Sequence, residues 1–289
     1  MDLSLLERIK RLAIIAMVSD DELMEVLVLK GGNAIDLIYK LSGRASVDLD
    51  FSMQRGFKRE ELDKVKLNVE KALINTFAQE GMKVFDIKIV KKPSKIAKEY
   101  EDFWGGYEIQ FKVVPEKFYS ENAGNVDSLR RNATVVGFNQ ERIFKIDISE
   151  FEYCADKSQS EIAGYAVYVY TPRMIVLEKI RSICQQIPEY KEIVKTHSPV
   201  ARARDFFDIF IVFSAFPFDL KSEEALSLLN LVFEAKRVPL SFIKKIENQR
   251  EFHRTDFASV KDTIRSGVDL KEFDFYFDYV VDLLKSIKC

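Results

Sequence analysis

The chain opens with apolar residues at helical spacing from about residue 3 to 17 and then crowds into the run MEVLVL, which ends at Lys30-Gly31-Gly32. The run reads as a short strand meeting a glycine turn. NAIDLIYKLSG returns to helical spacing at Ala34, Leu37, Ile38 and Leu41, with Asn33 suited to cap the helix and Gly43 to stop it. SVDLDFSM then alternates. Val47, Leu49 and Phe51 take one face of a strand, and Asp48 and Asp50 take the other. A long helix is expected from Arg59 to about Gln79, followed by the strands KVFDIKIVKK, YEIQFKVVP and RIFKIDIS and a last strand in YAVYVYTP. From Pro172, a favoured first-turn residue, the pattern is helical almost to the end. The clearest helices are PRMIVLEKIRSICQQ, VARARDFFDIFIVFSAF, SEEALSLLNLVFEAK and FDFYFDYVVDLLKSI. The pattern predicts an α/β (α+β) domain with a small mixed sheet over residues 1–170 and a mainly α-helical domain over 171–289.

Composition narrows the chemistry. With 47% hydrophobic residues in 289, the chain can bury a sizeable core. Its charges nearly cancel, at −2, so any affinity for nucleic acid must come from local basic patches. Cys154, Cys184 and Cys289 are too scattered for a disulfide framework or a zinc pair. His197 and His253 are the only histidines, which excludes His-rich metal sites. The N-terminal stretch is broken by charges and reads as an amphipathic helix, and no apolar run is long enough to span a membrane. A soluble, cytoplasmic protein is expected.

Two carboxylates two residues apart on a strand point the same way and repel, so burying them needs compensation. An isolated D-x-D most often marks an edge strand with one wet face. The sharper reading places divalent metal between them, since Mg²⁺ prefers carboxylate and phosphate oxygens and metal pairs clamp phosphoryl displacements. The strand-Gly-Gly-helix junction before them exposes backbone N–H groups suited to an anion. Together they would hold a triphosphate on the glycine side and its metals on the aspartate side. Neither a P-loop nor a dinucleotide-binding glycine motif is present. A third carboxylate is expected, and Asp147 in RIFKIDISE offers one on a strand.

KGG-N-A-I followed by S-V-D-L-D-F resembles the opening motif of the AbiEii/AbiGii-type nucleotidyltransferase toxins, the toxin halves of type IV toxin–antitoxin or abortive-infection systems. LEKIRSICQQ resembles the family's lysine-bearing helix, and RARDFFDI its later R-x-(K/R)-D segment. These motifs run in order from about residue 27 to 213. The resemblance implies a minimal DNA-polymerase-β-like fold and transfer of an NMP from an NTP to an acceptor hydroxyl, with a tRNA 3′ end as acceptor and an antitoxin as partner. It implies Asp48, Asp50 and Asp147 as ligands of two Mg²⁺ ions, or Mn²⁺ in their place. Lys30, Gly31, Gly32, Asn33 and Ser46 would bind nucleotide, with Lys179 neutralising the triphosphate. Asn33 departs from the family's usual Thr or Ser, and Ser46 can supply the missing hydroxyl.

From the helix alone, Lys179 lies at the margin of an apolar arc, where a lysine usually snorkels to water. Asp205 sits in a helix apolar nearly all round and needs a partner, Arg202 or Lys179. It could equally offset the helix dipole, while the resemblance favours the active site. Lys88, Lys91, Lys92, Lys95 and Lys98 near Trp104, with Arg202, Arg204, Lys236, Arg237, Lys244 and Lys245, suit an RNA backbone if they line one groove. Two other readings stay open: a nucleotide-binding regulatory module without turnover, and a nucleotidyltransferase acting on a protein or small molecule.

Overall fold

The periodicities close into elements in the computed structural model, which describes residues 3–287 apart from Ser42, Val47, Arg59, Phe138, Asn139, Ser266 and Ser286. The expected strand position of Val47, the expected helix start at Arg59, and Cys289 lie outside the described residues. Helix α1 (Leu3–Val18) buries Leu6, Ile9, Ala13 and Met17 along one side. MEVLVL divides. Met24–Val26 finish helix α2 (Asp21–Val26), and only Val28–Leu29 form strand β1. Asp20 accepts the Leu23 N–H at 3.0 Å, and Asp21 and Glu22 suit the positive end of the helix, so local capping wins over the apolar run.

The glycine turn opens helix α3 (Gly31–Asn33), which runs into a π turn over Ala34–Ile38. It ends before Gly43, at Tyr39, and Lys40 takes a φ of 58°. Strand β2 (Leu49–Ser52), helix α4 (Leu62–Ala78), strands β3 (Met82–Lys91) and β4 (Gly106–Pro115), helices α5 (Glu116–Glu121) and α6 (Val126–Arg131), and strands β5 (Phe144–Ser149), β6 (Ser158–Ile162) and β7 (Tyr165–Val169) follow. The sheet is mixed and seven-stranded, in the order β3-β4-β5-β2-β1-β7-β6. It is larger than expected, because β6 (SQSEI) lacks the apolar alternation that marks the other strands. β2 pairs parallel with β5 and β1 parallel with β7.

Helices α7 (Pro172–Cys184), α8 (Ala203–Ala215), α9 (Glu223–Glu234), α10 (Arg250–Arg254), α11 (Phe257–Lys261) and α12 (Phe273–Leu284) complete the chain, so every named element after β7 among the described residues is helical. Pro172 opens α7, and the Thr171 hydroxyl caps it by accepting the Met174 N–H at 3.3 Å. One buried apolar cluster joins Leu29, Phe51 and Ile146 of the sheet to Ile180, Phe206 and Phe277 of the helices. Phe273, Tyr276 and Phe277 of the aromatic stripe of α12 are core, while Phe275 is exposed. Phe277 stacks on Phe206 with centroids 5.1 Å apart, and truncating such a ring costs about 3–5 kcal/mol. Among the described residues no helix is long and apolar enough to cross a membrane.

Candidate active site

Strand register assembles the carboxylates. Leu49 and Phe51 of β2 are fully buried, which turns Asp50 to the opposite face. Ile146 and Ile148 do the same for Asp147 on β5, and the register sets Asp50 against Asp147. β4 adds Glu108 across from Asp147. Asp48, just before β2, is exposed, while Asp50 and Asp147 are half-buried.

The glycines lie against this row. Gly31 has a φ of +66°, and a Cβ there would sit 2.7 Å from Asp50 Oδ2. A Cβ on Gly32 would sit 2.8 Å from Ser46 Cβ. Only glycine lets the turn approach so closely. Asn33 does not cap the helix as expected. The residue stands inside α3, where a side chain cannot reach back to the first-turn N–H groups, and its amide instead donates to the Asp48 carbonyl. The Ser46 hydroxyl donates to the same carbonyl at 3.2 Å, and the buried Lys10 ammonium holds the Ser46 carbonyl at 2.6 Å. Asn33 and Ser46 thus brace the segment that carries the D-x-D.

The row is short of positive charge. Burial pushes the Asp50 carboxyl up to about 6; Lys30 pulls it back, while Asp147 and Asp48 add to the rise. Burial likewise raises Asp147 against the pull of Lys92, whose ammonium lies 3.2 Å from Asp147 Oδ1 and also contacts Glu108. Among the described residues no three His, Cys, Asp or Glu side chains are already gathered to ion-holding distance. The donor set still fits a hard divalent cation: carboxylate oxygens only, on neighbouring strands, one of them lacking the charge that would keep it ionised.

The helices supply the facing wall. Lys179 of α7 does not snorkel. It is buried, with Nζ 2.9 Å from Asp205 and 2.8 Å from Asp208 of α8. Arg44 grips Asp208 through two bonds, of 2.8 and 2.6 Å, and Arg202 contacts Asp205. Burial would raise both aspartates, but Arg202 and Lys179 at Asp205, and Arg44 and Lys179 at Asp208, outweigh it and hold both below the usual carboxylate range. Both partners foreseen for Asp205 are therefore real.

A cleft of about 400 Å³ is lined by Lys30, Gly31, Gly32, Ser46, Asp48, Asp50, Asp147, Lys179 and Asp205. Of the residues read from the sequence only Asn33 stands behind it. Lys30 lines the cleft but is nearly buried, with Nζ 3.1 Å from Ser149 Oγ and 3.6 Å from Glu152. Arg44 and Glu108 were not foreseen, and Lys92 was read only as part of a basic run suited to RNA, not as a partner of the carboxylates. Arg44 carried a signal, since it precedes Ser46 by two residues in the stretch leading to the D-x-D. Glu108 carried none, because its place depends on the pairing of β4 with β5, and Lys92, just past the end of β3, meets the row only through the pairing of β3 with β4 as well. Of the basic residues, Lys92, Lys95, Arg202 and Lys236 line an adjoining cavity with Trp104. Arg237 is paired with Asp102, and Lys245 with Glu189 at 2.6 Å.

A family model described as the nucleotidyl transferase AbiEii toxin of type IV toxin–antitoxin systems matches residues 13–279. The chain belongs to that family. The AbiEii match covers both the sheet and the helical wall. Among solved structures, a candidate nucleotidyltransferase from H. pylori is 17% identical, with a TM-score of 0.50, over 99% of this chain and 94% of that one. JHP933 from Helicobacter pylori is 18% identical, with a TM-score of 0.49, over 99% and 91%. The first of these likenesses shows a shared fold. No curated protein matches the AbiEii-family chain.

Proposed function

We propose that this AbiEii-family protein transfers an NMP from an NTP to an acceptor hydroxyl, with the 3′ end of an RNA, a tRNA, as the acceptor. The observation that carries the reading is the alignment of Asp50 with Asp147 on paired strands, with the glycine turn packed against Asp50 in one cleft. Asp48, Asp50 and Asp147 would hold two Mg²⁺ ions, or Mn²⁺. When bound, the ions neutralise charge at the α-phosphate and ease ionisation of the attacking hydroxyl. Gly31, Gly32 and Ser46 seat the triphosphate, Asn33 and Lys30 hold this edge in shape, and Lys179 and Arg202 face the leaving end. The acceptor oxygen bonds to the α-phosphorus, the bond to the β-phosphate oxygen breaks, and pyrophosphate departs. Residues 1–170 carry the metal and glycine elements, and 171–289 contribute Lys179 and Asp205. Lys92, Lys95 and Arg202 around the adjoining cavity support a polyanionic acceptor over a small molecule. As a toxin it would act in the cytoplasm and be checked by a cognate antitoxin.

The test is incubation of the purified protein with Mg²⁺, total tRNA and each α-labelled NTP in turn, beside Asp48→Ala. Label in RNA from one nucleotide, absent with the variant, is the expected result. Label on protein instead would move the acceptor to a side-chain hydroxyl. Nucleotide binding with nothing labelled would leave a regulatory module without turnover.

A further inference from the structure

Beside the cleft lies a second chamber, of about 760 Å³, which shares Lys30, Asp50, Glu178 and Arg202 with it. The two differ in kind. The cleft presents glycines, aspartates and cations, while the chamber sets Trp104, His197, Gln185 and Ser182 among its charged groups, which include Lys92, Lys95 and Arg202. Trp104 is half-buried, its ring edge-on to His197 at 6.1 Å and tilted against Tyr190 at 6.2 Å. Tyr190 is itself fixed. It is fully buried, donates to the Lys236 carbonyl at 2.7 Å and accepts from the Gln185 amide at 3.2 Å. The indole therefore stands on a rigid base with part of its surface open to the chamber.

The floor beneath it is ionic but already matched. Glu152 lies 3.1 Å from Arg181, 3.6 Å from Lys30 and 3.7 Å from Lys236, and Glu178 lies 2.9 Å from Arg181. A charged ligand would have to break these buried pairs. What the chamber offers is an aromatic surface opening onto Asp50, beside the Gln185 amide and the Ser182 hydroxyl. The amide oxygen accepts from Arg181 at 2.8 Å and its nitrogen donates to Tyr190, while the hydroxyl donates to Glu178 at 2.9 Å. One amide N–H and the hydroxyl lone pairs are left for a ligand. A flat, uncharged, hydrogen-bonding ring tethered to a group reacting at Asp50 fits that offer.

We propose that the chamber is a nucleoside subsite, in which a base stacks on Trp104 with its polar edge toward Gln185 and Ser182. The choice of ligand rests on the nucleotidyl-transfer reading. The nucleoside is that of the incoming NTP or the terminal one of the acceptor RNA, and both present the same chemistry.

Trp104 is the only tryptophan in the chain, so intrinsic fluorescence reports on this chamber directly. The experiment titrates the full-length protein with each NTP and NMP, with a short single-stranded RNA bearing a free 3′ hydroxyl, and with tripolyphosphate. Saturable quenching by nucleoside ligands, with none by tripolyphosphate, is expected. Quenching by NTP and NMP alone assigns the incoming nucleotide, and quenching by the RNA alone assigns the acceptor. Unchanged emission with every nucleoside ligand overturns the proposal, as does equal quenching by tripolyphosphate. In transfer assays Trp104→Ala is expected to raise KM for the assigned substrate about five- to hundredfold, more than it lowers kcat, with Trp104→Phe recovering most of the loss. An unaltered KM for both substrates in Trp104→Ala also overturns it. Quenching without any label transfer would fail the transfer reading and leave the subsite standing; transfer without quenching would do the reverse.

Discussion

The sheet and the helices each bring aspartates to the cleft, and they treat them in opposite ways. On the helical side Asp205 and Asp208 are buried among Lys179, Arg44 and Arg202, and both are held well below the ordinary carboxylate range. On the sheet side Asp50 lies beside two other aspartates with Lys30 as its main counter-charge, and burial drives it up to about 6. The residue type is the same; the balance of charge differs. The helical carboxylates find their counter-charges within the fold, and the sheet carboxylate is left short of positive charge, which is what the proposed metal role asks of it.

The comparison breaks most sharply through stability. Removing a balanced charge strands its partners, so Asp205→Asn is expected to cost about 3–5 kcal/mol by leaving Lys179 and Arg202 undercompensated. Asp50→Asn removes a charge that the fold disfavours, and its melting temperature should equal or exceed that of the parent while label transfer is lost. Thermal denaturation of the two variants side by side decides it. Equal destabilisation by both would mean that the sheet aspartate is as much a structural partner as the helical one.

Acid sharpens the balanced side. Burial pushes Glu152 up, but Arg181, Lys236 and Lys30 outweigh it and bring it down to about 2 from an ordinary 4.5. Burial takes His253 down to about 4 from 6.5. In both cases the unfolded chain binds more protons, so stability rises with pH across each window. The His253 contribution is complete above about 6.5 and lost as pH falls through about 4. The Glu152 contribution is complete above about 4.5 and lost toward about 2, with Asp205 and Asp208 acting in the same direction. Asp50, raised to about 6, and Asp147 act in the opposite direction over the His253 window, so the readout is the difference between parent and His253→Phe. The parent's urea midpoint should fall relative to the variant's between pH 7 and 4. A difference that does not change with pH would contradict the assignment.

How much of this was legible in the sequence follows from the same contrast. Alternation in SVDLDFSM and RIFKIDIS exposes an aspartate on each strand because the buried faces leave no other choice, so Asp48, Asp50 and Asp147 could be read before the fold was known. Lys179 and Asp205 could be named, but burial of the pair depends on how α7 meets α8, which helical spacing does not encode. Asn33 looked like a cap because local rules assign it one, and a contact with the Asp48 carbonyl, 15 residues along the chain, overrode them. Met24–Val26 went to a helix for the opposite reason, since a local cap at Asp20 overrode an apolar run. Glu108 reaches the site through the pairing of β4 with β5, and Lys92, just past the end of β3, through that of β3 with β4 as well, which no short stretch of sequence reports.

Lys92 tests the comparison at its weakest point, because this exposed cation touches both Asp147 and Glu108 of the carboxylate row. Its side chain is 54% exposed, so solvent screens its pairs with Asp147 and Glu108, and Lys92→Met should change stability by less than about 1 kcal/mol. The informative readout is metal affinity. If the row takes an external cation, Lys92 competes with it for Asp147, and removing the ammonium should lower the Mg²⁺ concentration that half-saturates label transfer. Mn²⁺ binding followed by electron paramagnetic resonance should tighten in parallel, without need of turnover. If Lys92 instead holds Asp147 in place, the variant should need more metal, and the row would then be balanced by the fold after all, as the helical aspartates are.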